Sequence, residues 1–413
     1  MAARVTNMYH VALAWAFLPL SYRHNSEYSP EMFAAALSTE VDSSRAVAEV
    51  SERIRSCLGG PPDIVWAFLA ADHVPAAQSI ASGLCEQLQT NQLLGCTAES
   101  IVGVGREVEE GAALSVWAAR TPQTRWRLAR LTMENTPDGA LTSGWSDELI
   151  DQWPDSATVL MLADPFSFAA DVLLAQFNQD HPSTQVIGGM ASAGFSPGMN
   201  RLLCGTDVTS TGAVAVVVDG QSAPRAVVSQ GCRPVGRHFV ITKAERNTII
   251  ELGGEQAVKR LQDVFNSLAN REKEQAQQGI HLGRVVSEYQ DEFSQGDFLV
   301  RNVVGVDPST GGLTVGDYFR PGQTVQFHVR DAETADGELR ELLARVDDPP
   351  QSALVFTCNG RGTRLFQEPH HDAAAILNRW GDIPVAGMFA QGEIGPIGGG
   401  NFVHGFTASI ALF

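Results

Sequence analysis

One pattern, written three times, limits what this 413-residue chain can fold into: an apolar strand, a helix, a strand ending in Gly-x-x-Ala, and a last apolar strand. The first strands are Ile64–Leu69, Thr158–Leu162 and Leu354–Thr357. Each is followed by a helical stretch and then by Gly95-Cys-Thr-Ala98, Gly188-Gly-Met-Ala191 or Gly387-Met-Phe-Ala390. The last strands open on a glycine, at Gly111–Ala118, Gly212–Val218 and Gly405–Phe413. The connecting helices share one apolar stripe: Ala77, Ile80, Ala81, Leu84, Leu88; Ala170, Leu173, Leu174, Phe177; Ala373, Ile376, Leu377, Trp380. That spacing puts one helix face on a sheet. The first strands are continuous apolar runs, as expected of a sheet covered on both sides, and each strand–helix–strand suits a parallel crossover unit. The last strand is expected antiparallel to the one before it.

These observations predict an α/β fold: repeated strand-helix-strand-strand units forming mixed sheets covered by helices, with an inserted α+β portion in the second half. Residues 225–348 carry that insertion. It reads as a hairpin of Phe239–Lys243 and Thr248–Leu252, one long helix over Glu255–Gln278 with a polar distal end that protrudes or frays, strands around Asp307-Pro-Ser-Thr-Gly-Gly312, a strand Thr324–Val329 and a helix Glu338–Val346. The expected domains are 32–222 and 223–413, behind a poorly ordered extension, 1–31. The apolar run Val11–Leu20 within that extension is too short to span a bilayer and lacks a cleavage signature.

Charge narrows the function. A net charge of −18 with no basic stripe opposes nucleic acid and anionic membranes as partners. The six cysteines are dispersed without metal-ligand spacing, which predicts reduced thiols in a cytoplasmic protein. His370-His371 beside Pro369 reads as a surface pair, not a metal site. No P-loop, dinucleotide fingerprint, nucleophile elbow or zinc-protease motif occurs, so neither a cofactor nor a catalytic constellation is expected.

Ligands of α/β sheets bind beyond the carboxyl ends of strands. In the first loop Cys96, Thr97 and Glu99 follow Gly95, and in the third Gly392 and Glu393 precede Gly395-Pro396. Cys358-Asn359-Gly360-Arg361-Gly362 follows a buried strand and places a glycine-flanked arginine there. Arg361 and the loop N–H groups suit a carboxylate, Glu393 an ammonium group, and Cys96 and Thr97 offer a soft and a hard polar contact, with Asn359 among the expected binding residues. Alternatively, the glycines only make turns, Glu393 is solvated and Arg361 forms a structural ion pair. The middle copy lacks a charged candidate, so the first and third loops are the expected site.

Val228-Ser-Gln-Gly-Cys-Arg-Pro-Val-Gly236, Phe356-Thr-Cys-Asn-Gly-Arg-Gly362, Ala386-Gly-Met-Phe-Ala-Gln-Gly-Glu-Ile-Gly-Pro396 and Gly405-Phe-Thr-Ala-Ser-Ile410 together resemble a FIST C-terminal domain. Met32–Thr39 and Leu94-Gly-Cys-Thr-Ala-Glu99 resemble its partner, the FIST N-terminal domain. The resemblance implies a sensory module of signal transduction that binds a small molecule such as an amino acid and reports to a signalling partner. No kinase, cyclase or receiver region accompanies it here. Two other classes stay open: a thiol enzyme using Cys96 or Cys358 with a distant base such as His404, and a ligand-free interaction scaffold.

Overall fold

The structure is a computed structural model, and it describes residues 31–136, 139–290, 292–293 and 295–413. The expected N-terminal extension, apart from Glu31, lies outside the described residues. Residues 31–413 form one compact unit.

The threefold pattern becomes three units of like topology. Unit one comprises β1 (Met32–Ser38), α1 (Ser43–Leu58), β2 (Ile64–Ala70), α2 (Ala77–Leu88), β3 (Leu93–Ala98), β4 (Ile101–Gly103), β5 (Arg106–Val108) and β6 (Leu114–Arg120). Unit two comprises β7 (Thr124–Thr136), β8 (Gly139–Ser143), α3 (Asp147–Asp151), β9 (Thr158–Ala163), α4 (Ala170–Asp180), β10 (Gln185–Met190), β11 (Leu202–Cys204), β12 (Asp207–Thr209) and β13 (Ala213–Gly220). Unit three opens with β14 (Arg225–Ser229). The insertion follows: β15 (Cys232–Glu245), β16 (Thr248–Leu252), β17 (Glu255–Gln256), α5 (Ala257–Ser267), α6 (Asn270–Gln278), β18 (Ile280–Val285), β19 (Phe298–Asp307), β20 (Gly312–Val315) and β21 (Thr324–Arg330). The unit resumes with α7 (Ala332–Ala344), β22 (Ala353–Cys358), α8 (His371–Trp380), β23 (Val385–Ala390), β24 (Glu393–Ile397), β25 (Gly400–His404) and β26 (Ala408–Leu412).

In every unit the two strands joined by the crossover helix pair in parallel: β2 with β3, β9 with β10, β22 with β23. The closing strand is antiparallel, as expected, but it lies beside the first strand of its unit and not the preceding one. The reason is the short hairpin between them, which leaves its own sheet. Hairpin β4–β5 pairs with β23, β11–β12 with β3, and β24–β25 with β10. Each unit thus completes a neighbour's sheet in cyclic order, and unit one is joined directly to unit three.

The first strands are buried along their length because each sheet has a core on both faces. One central core collects Trp66 and Phe68, Leu160 and Leu162, and Leu354 and Phe356 from the three sheets. On the outside, α1 and α2 cover the first sheet, α4 the second, and α7 with α8 the third. The helix stripes expected from spacing face these outer cores, although Leu377 and Trp380 are only partly buried.

The Gly-x-x-Ala glycine has a steric cause. A Cβ at Gly95, Gly188 or Gly387 would stand 2.2, 1.9 and 1.9 Å from the carbonyl oxygen of Ala67, Met161 and Val355. Each of those residues is the glycine's direct partner across the parallel ladder.

The insertion is a barrel. Its strand order β15-β21-β18-β19-β20-β16 closes through pairing of β15 with β16. The single long helix expected over Glu255–Gln278 is instead two, because Leu268 adopts an extended conformation and turns into the barrel core. Glu272 then accepts from the Ala269 N–H at 3.0 Å and starts a new helix. The polar end does not protrude free: Arg233 holds Glu272 at 2.9 Å and Arg271 holds Glu333 at 2.7 Å.

Candidate functional site

The cyclic exchange creates three equivalent positions, each between the end of a first strand, the start of its helix and a borrowed hairpin. In unit three the borrowed segment is bonded across the position. Glu109 on the borrowed segment accepts from the Thr363 N–H at 2.9 Å and from its hydroxyl at 2.6 Å. Unit one has a cavity of about 410 Å³ lined by Pro75, Gln78, Arg201 and Thr209. Unit two has a cavity of about 1020 Å³, because there the barrel adds a further wall. Phe168, Asp171, Leu174 and Met190 come from unit two, Phe402 and His404 from the borrowed hairpin, and Arg284, Leu299, Arg301 and Asp317 from the barrel. A volume of that size suits a small metabolite.

Its inner wall carries Cys358 at the end of β22, then Asn359, Gly392 and Glu393. Glu393 is fully buried. Its Oε2 accepts from the Thr407 N–H at 3.0 Å, while Oε1 has no hydrogen-bond partner among the described residues. Burial pushes its carboxyl up to about 8, against the opposing pull of the Thr407 N–H, the Cys358 thiol, Arg361 and Arg330. Burial, reinforced by the Glu393 charge, pushes the Cys358 thiol up to about 12, although the Gly360 N–H reaches its sulfur at 3.4 Å. At neutral pH the pair therefore stores protons instead of charge. Phe406 borders the same wall with φ +68°, a strained conformation for an aromatic residue, its ring 4.3 Å from His281 and 5.1 Å from the Arg330 guanidinium.

Of the residues expected from sequence, Asn359, Gly392 and Glu393 share this cavity. The others lie apart from its lining. Cys96 sits in the central core with its sulfur 3.0 Å from that of Met388, and burial pushes its thiol up. Thr97 is buried and accepts from the Arg201 N–H at 2.8 Å. Glu99 pairs with Arg364, which in turn donates to the Asn359 carbonyl at 2.9 Å. Arg361 is the structural ion pair that competed with the clamp reading: its Nε and Nη2 each reach Asp372 at 2.7 Å. Burial works against the Asp372 charge, but the guanidinium, His371 and Thr357 outweigh it and hold that carboxyl well below the usual range.

The third loop is also not an array of free N–H groups; it is the hairpin β24–β25, turning at Gly398 and Gly399 with φ of +57° and +82°. His404 bonds the Gly395 carbonyl at 2.9 Å, and burial drives it down to about 4. The histidine pair is tied in rather than loose on the surface: His370 accepts from the Glu107 N–H at 2.9 Å, and His371 stacks on Phe366 at 3.4 Å. Sequence reasoning set the middle copy aside, yet unit two supplies a wall of the cavity. It also overlooked Arg284 and Arg301, whose signal was a single arginine among apolar residues and glycine in Leu282-Gly-Arg-Val285 and Phe298-Leu-Val-Arg301.

The chain matches the FIST N domain over residues 63–255 and the FIST C domain over residues 257–396. An uncharacterised protein of Mycobacterium tuberculosis is 39% identical over 382 residues, covering 91% of this chain and 98% of the relative. An uncharacterised protein of Mycobacterium bovis is 37% identical over 380 residues, covering 91% of this chain and 97% of the relative. The border between the two matched domains falls at Gln256, inside the barrel sheet. FIST domains serve in sensory signal transduction and are thought to bind small ligands, a role that fits a cavity walled by both matched regions. The chain belongs to the FIST family.

Proposed function

We propose that this protein senses a small metabolite with an amine, of amino-acid type, held in the cavity between unit two, the barrel and the inner wall. One observation carries the reading: a fully buried carboxyl oxygen, Glu393 Oε1, on the wall of a cavity of about 1020 Å³, has no hydrogen-bond partner among the described residues. A buried polar oxygen left unpaired costs about 1–3 kcal/mol, which a hydrogen bond with the ligand recovers. An ammonium group further draws Glu393 into its charged form. The ligand's occupancy is then reported to a signalling partner. The acidic surface and the six free cysteines support a cytoplasmic setting away from nucleic acid; among the described residues no helix is long and apolar enough to cross a membrane.

Binding an ammonium to a protonated Glu393 releases one proton. Affinity for a cationic amine is therefore expected to rise with pH, by up to about tenfold per unit, until it levels off near the Glu393 value of about 8. Calorimetric titration of an amino-acid panel at several pH values measures this. Glu393→Gln should weaken binding and flatten the pH profile; an unchanged profile in the variant removes Glu393 from the site. The same group affects the unliganded fold. Its folded value lies above its unfolded one, so its contribution is fully present below about 4.5 and is lost as pH rises through about 8. Glu393→Gln should thus melt later than wild type at pH 9, and this advantage should shrink at pH 5.

A thiol enzyme remains a second reading at Cys358 alone, since Cys358 lines the cavity and Cys96 does not. The raised thiol opposes it: alkylation of Cys358 by iodoacetamide at pH 7 is expected to be slower than that of exposed Cys57. Faster modification of Cys358, followed by mass spectrometry, would favour the enzyme.

A further inference from the structure

The cavity has a second chemical end, on the barrel. Arg284 of β18 and Arg301 of β19 both line it. They are diagonal neighbours, since Arg284 pairs directly with Leu299, two residues from Arg301. They converge on one carboxylate: Asp317 lies 3.1 Å from Arg301 Nε and 4.0 Å from Arg284 Nη2. Arg301 places Nη1 on the Val300 carbonyl at 3.1 Å. The Nε of Arg284 is buried and has no hydrogen-bond partner among the described residues. Asp171 on the facing helix also lines the cavity and adds a more distant negative charge. Among the described residues the two guanidinium groups thus share one contacting carboxylate, and at least one donor is unsatisfied. Such forks match carboxylate or phosphate oxygens bidentately.

Resting on the reading of Glu393 above, we infer that Arg284 and Arg301 form an anion subsite, so that the sensed ligand carries a carboxylate or phosphate group in addition to its amine. The acid end is held by the barrel and the amine end by the inner wall, so one molecule joins the barrel to the three-sheet framework. Burial holds Arg301 below its ordinary value, a strain that a bound anion relieves. The subsite also supplies the carboxylate partner that Arg361, committed to Asp372, does not offer.

Calorimetric titration with four probes tests this: γ-aminobutyrate, glutarate, inorganic phosphate and butane-1,4-diamine. With wild type, γ-aminobutyrate and at least one of the two acids should bind. Arg301→Gln and Arg284→Gln should weaken those acids by about tenfold or more and leave the diamine unchanged, while Arg301→Lys should restore part of the loss. Melting curves without probe establish that the variants fold. Glutarate against phosphate identifies which anion the subsite takes. If the acids bind equally to wild type and both glutamine variants, or if only the diamine binds, the anion subsite is overturned and Glu393 retains its role. If acid binding depends on the arginines but Glu393→Gln changes nothing, the subsite holds and the amine reading fails. Absence of binding by any probe to wild type overturns both.

Discussion

Replacing Asp372 with alanine should destabilise the protein by about 3–5 kcal/mol, the usual cost of leaving one member of a buried ion pair alone. Both partners are essentially inaccessible to solvent, and the guanidinium is held by two bonds of 2.7 Å. Among the described residues Arg361 Nη1 has no hydrogen-bond partner even in the intact structure; the Phe366 ring lies 5.1 Å from the guanidinium, and Glu338 acts on it only as a nearby charge. Asp372 also accepts from Thr357 at 2.5 Å and contacts His371 at 2.9 Å, so the substitution unpairs a network. Because the Asp372 value is depressed in the fold, its contribution is present above the unfolded value of about 3.8 and fades as pH falls below it. Chemical denaturation at pH 7 measures the loss. The double variant Arg361→Met/Asp372→Leu should recover much of it, since apolar side chains of similar size often replace a buried pair without penalty. A single variant as stable as wild type would show that the pair is not the anchor of this loop.

That pair also shows where sequence reading stops. Strands, crossover helices and the repeat were legible because apolar runs and helical stripes reflect burial, which each element records in its own residues. The hairpin exchange was not. Ile101–Gly103 and Leu202–Cys204 are three residues long, too short for any period, and their pairing with another unit is set by where the units meet. Arg361 is flanked by glycines whether it faces a ligand or Asp372; only the fold brings α8 beneath it. Glu393 was legible as unusual, lying between glycines ahead of a proline, although its depth was not. The cavity was illegible for a different reason. Of the three equivalent positions, the one the barrel reaches holds the cavity of about 1020 Å³, and no residue in the middle repeat announces that cover.

The repeated glycine yields the other large effect. Gly387→Ala should cost upward of about 4 kcal/mol, in the range of severe core disruption. The added methyl would sit 1.9 Å from the Val355 carbonyl oxygen, and the obstruction is main chain, so no side-chain rotation relieves it. Relief requires the parallel strands to part, which breaks ladder hydrogen bonds between β22 and β23 and opens the central core beside Phe356. Gly188→Ala meets the Met161 carbonyl at the same 1.9 Å and should be as severe, whereas Gly95→Ala, at 2.2 Å, should be slightly milder. Gly337 provides the control. It is exposed within α7 and an added Cβ meets nothing within 4 Å, so Gly337→Ala should stabilise by about 0.5–1 kcal/mol. Denaturation of these four variants separates close backbone approach from a general intolerance of glycine replacement. Equal tolerance at Gly387 and Gly337 would remove the steric explanation of the repeat. The ordering expected here instead makes the glycine the residue that lets each first and second strand close together. In unit three that closure positions Cys358 and the turn into Glu393, so the position that is most constrained sterically also fixes the inner wall of the cavity.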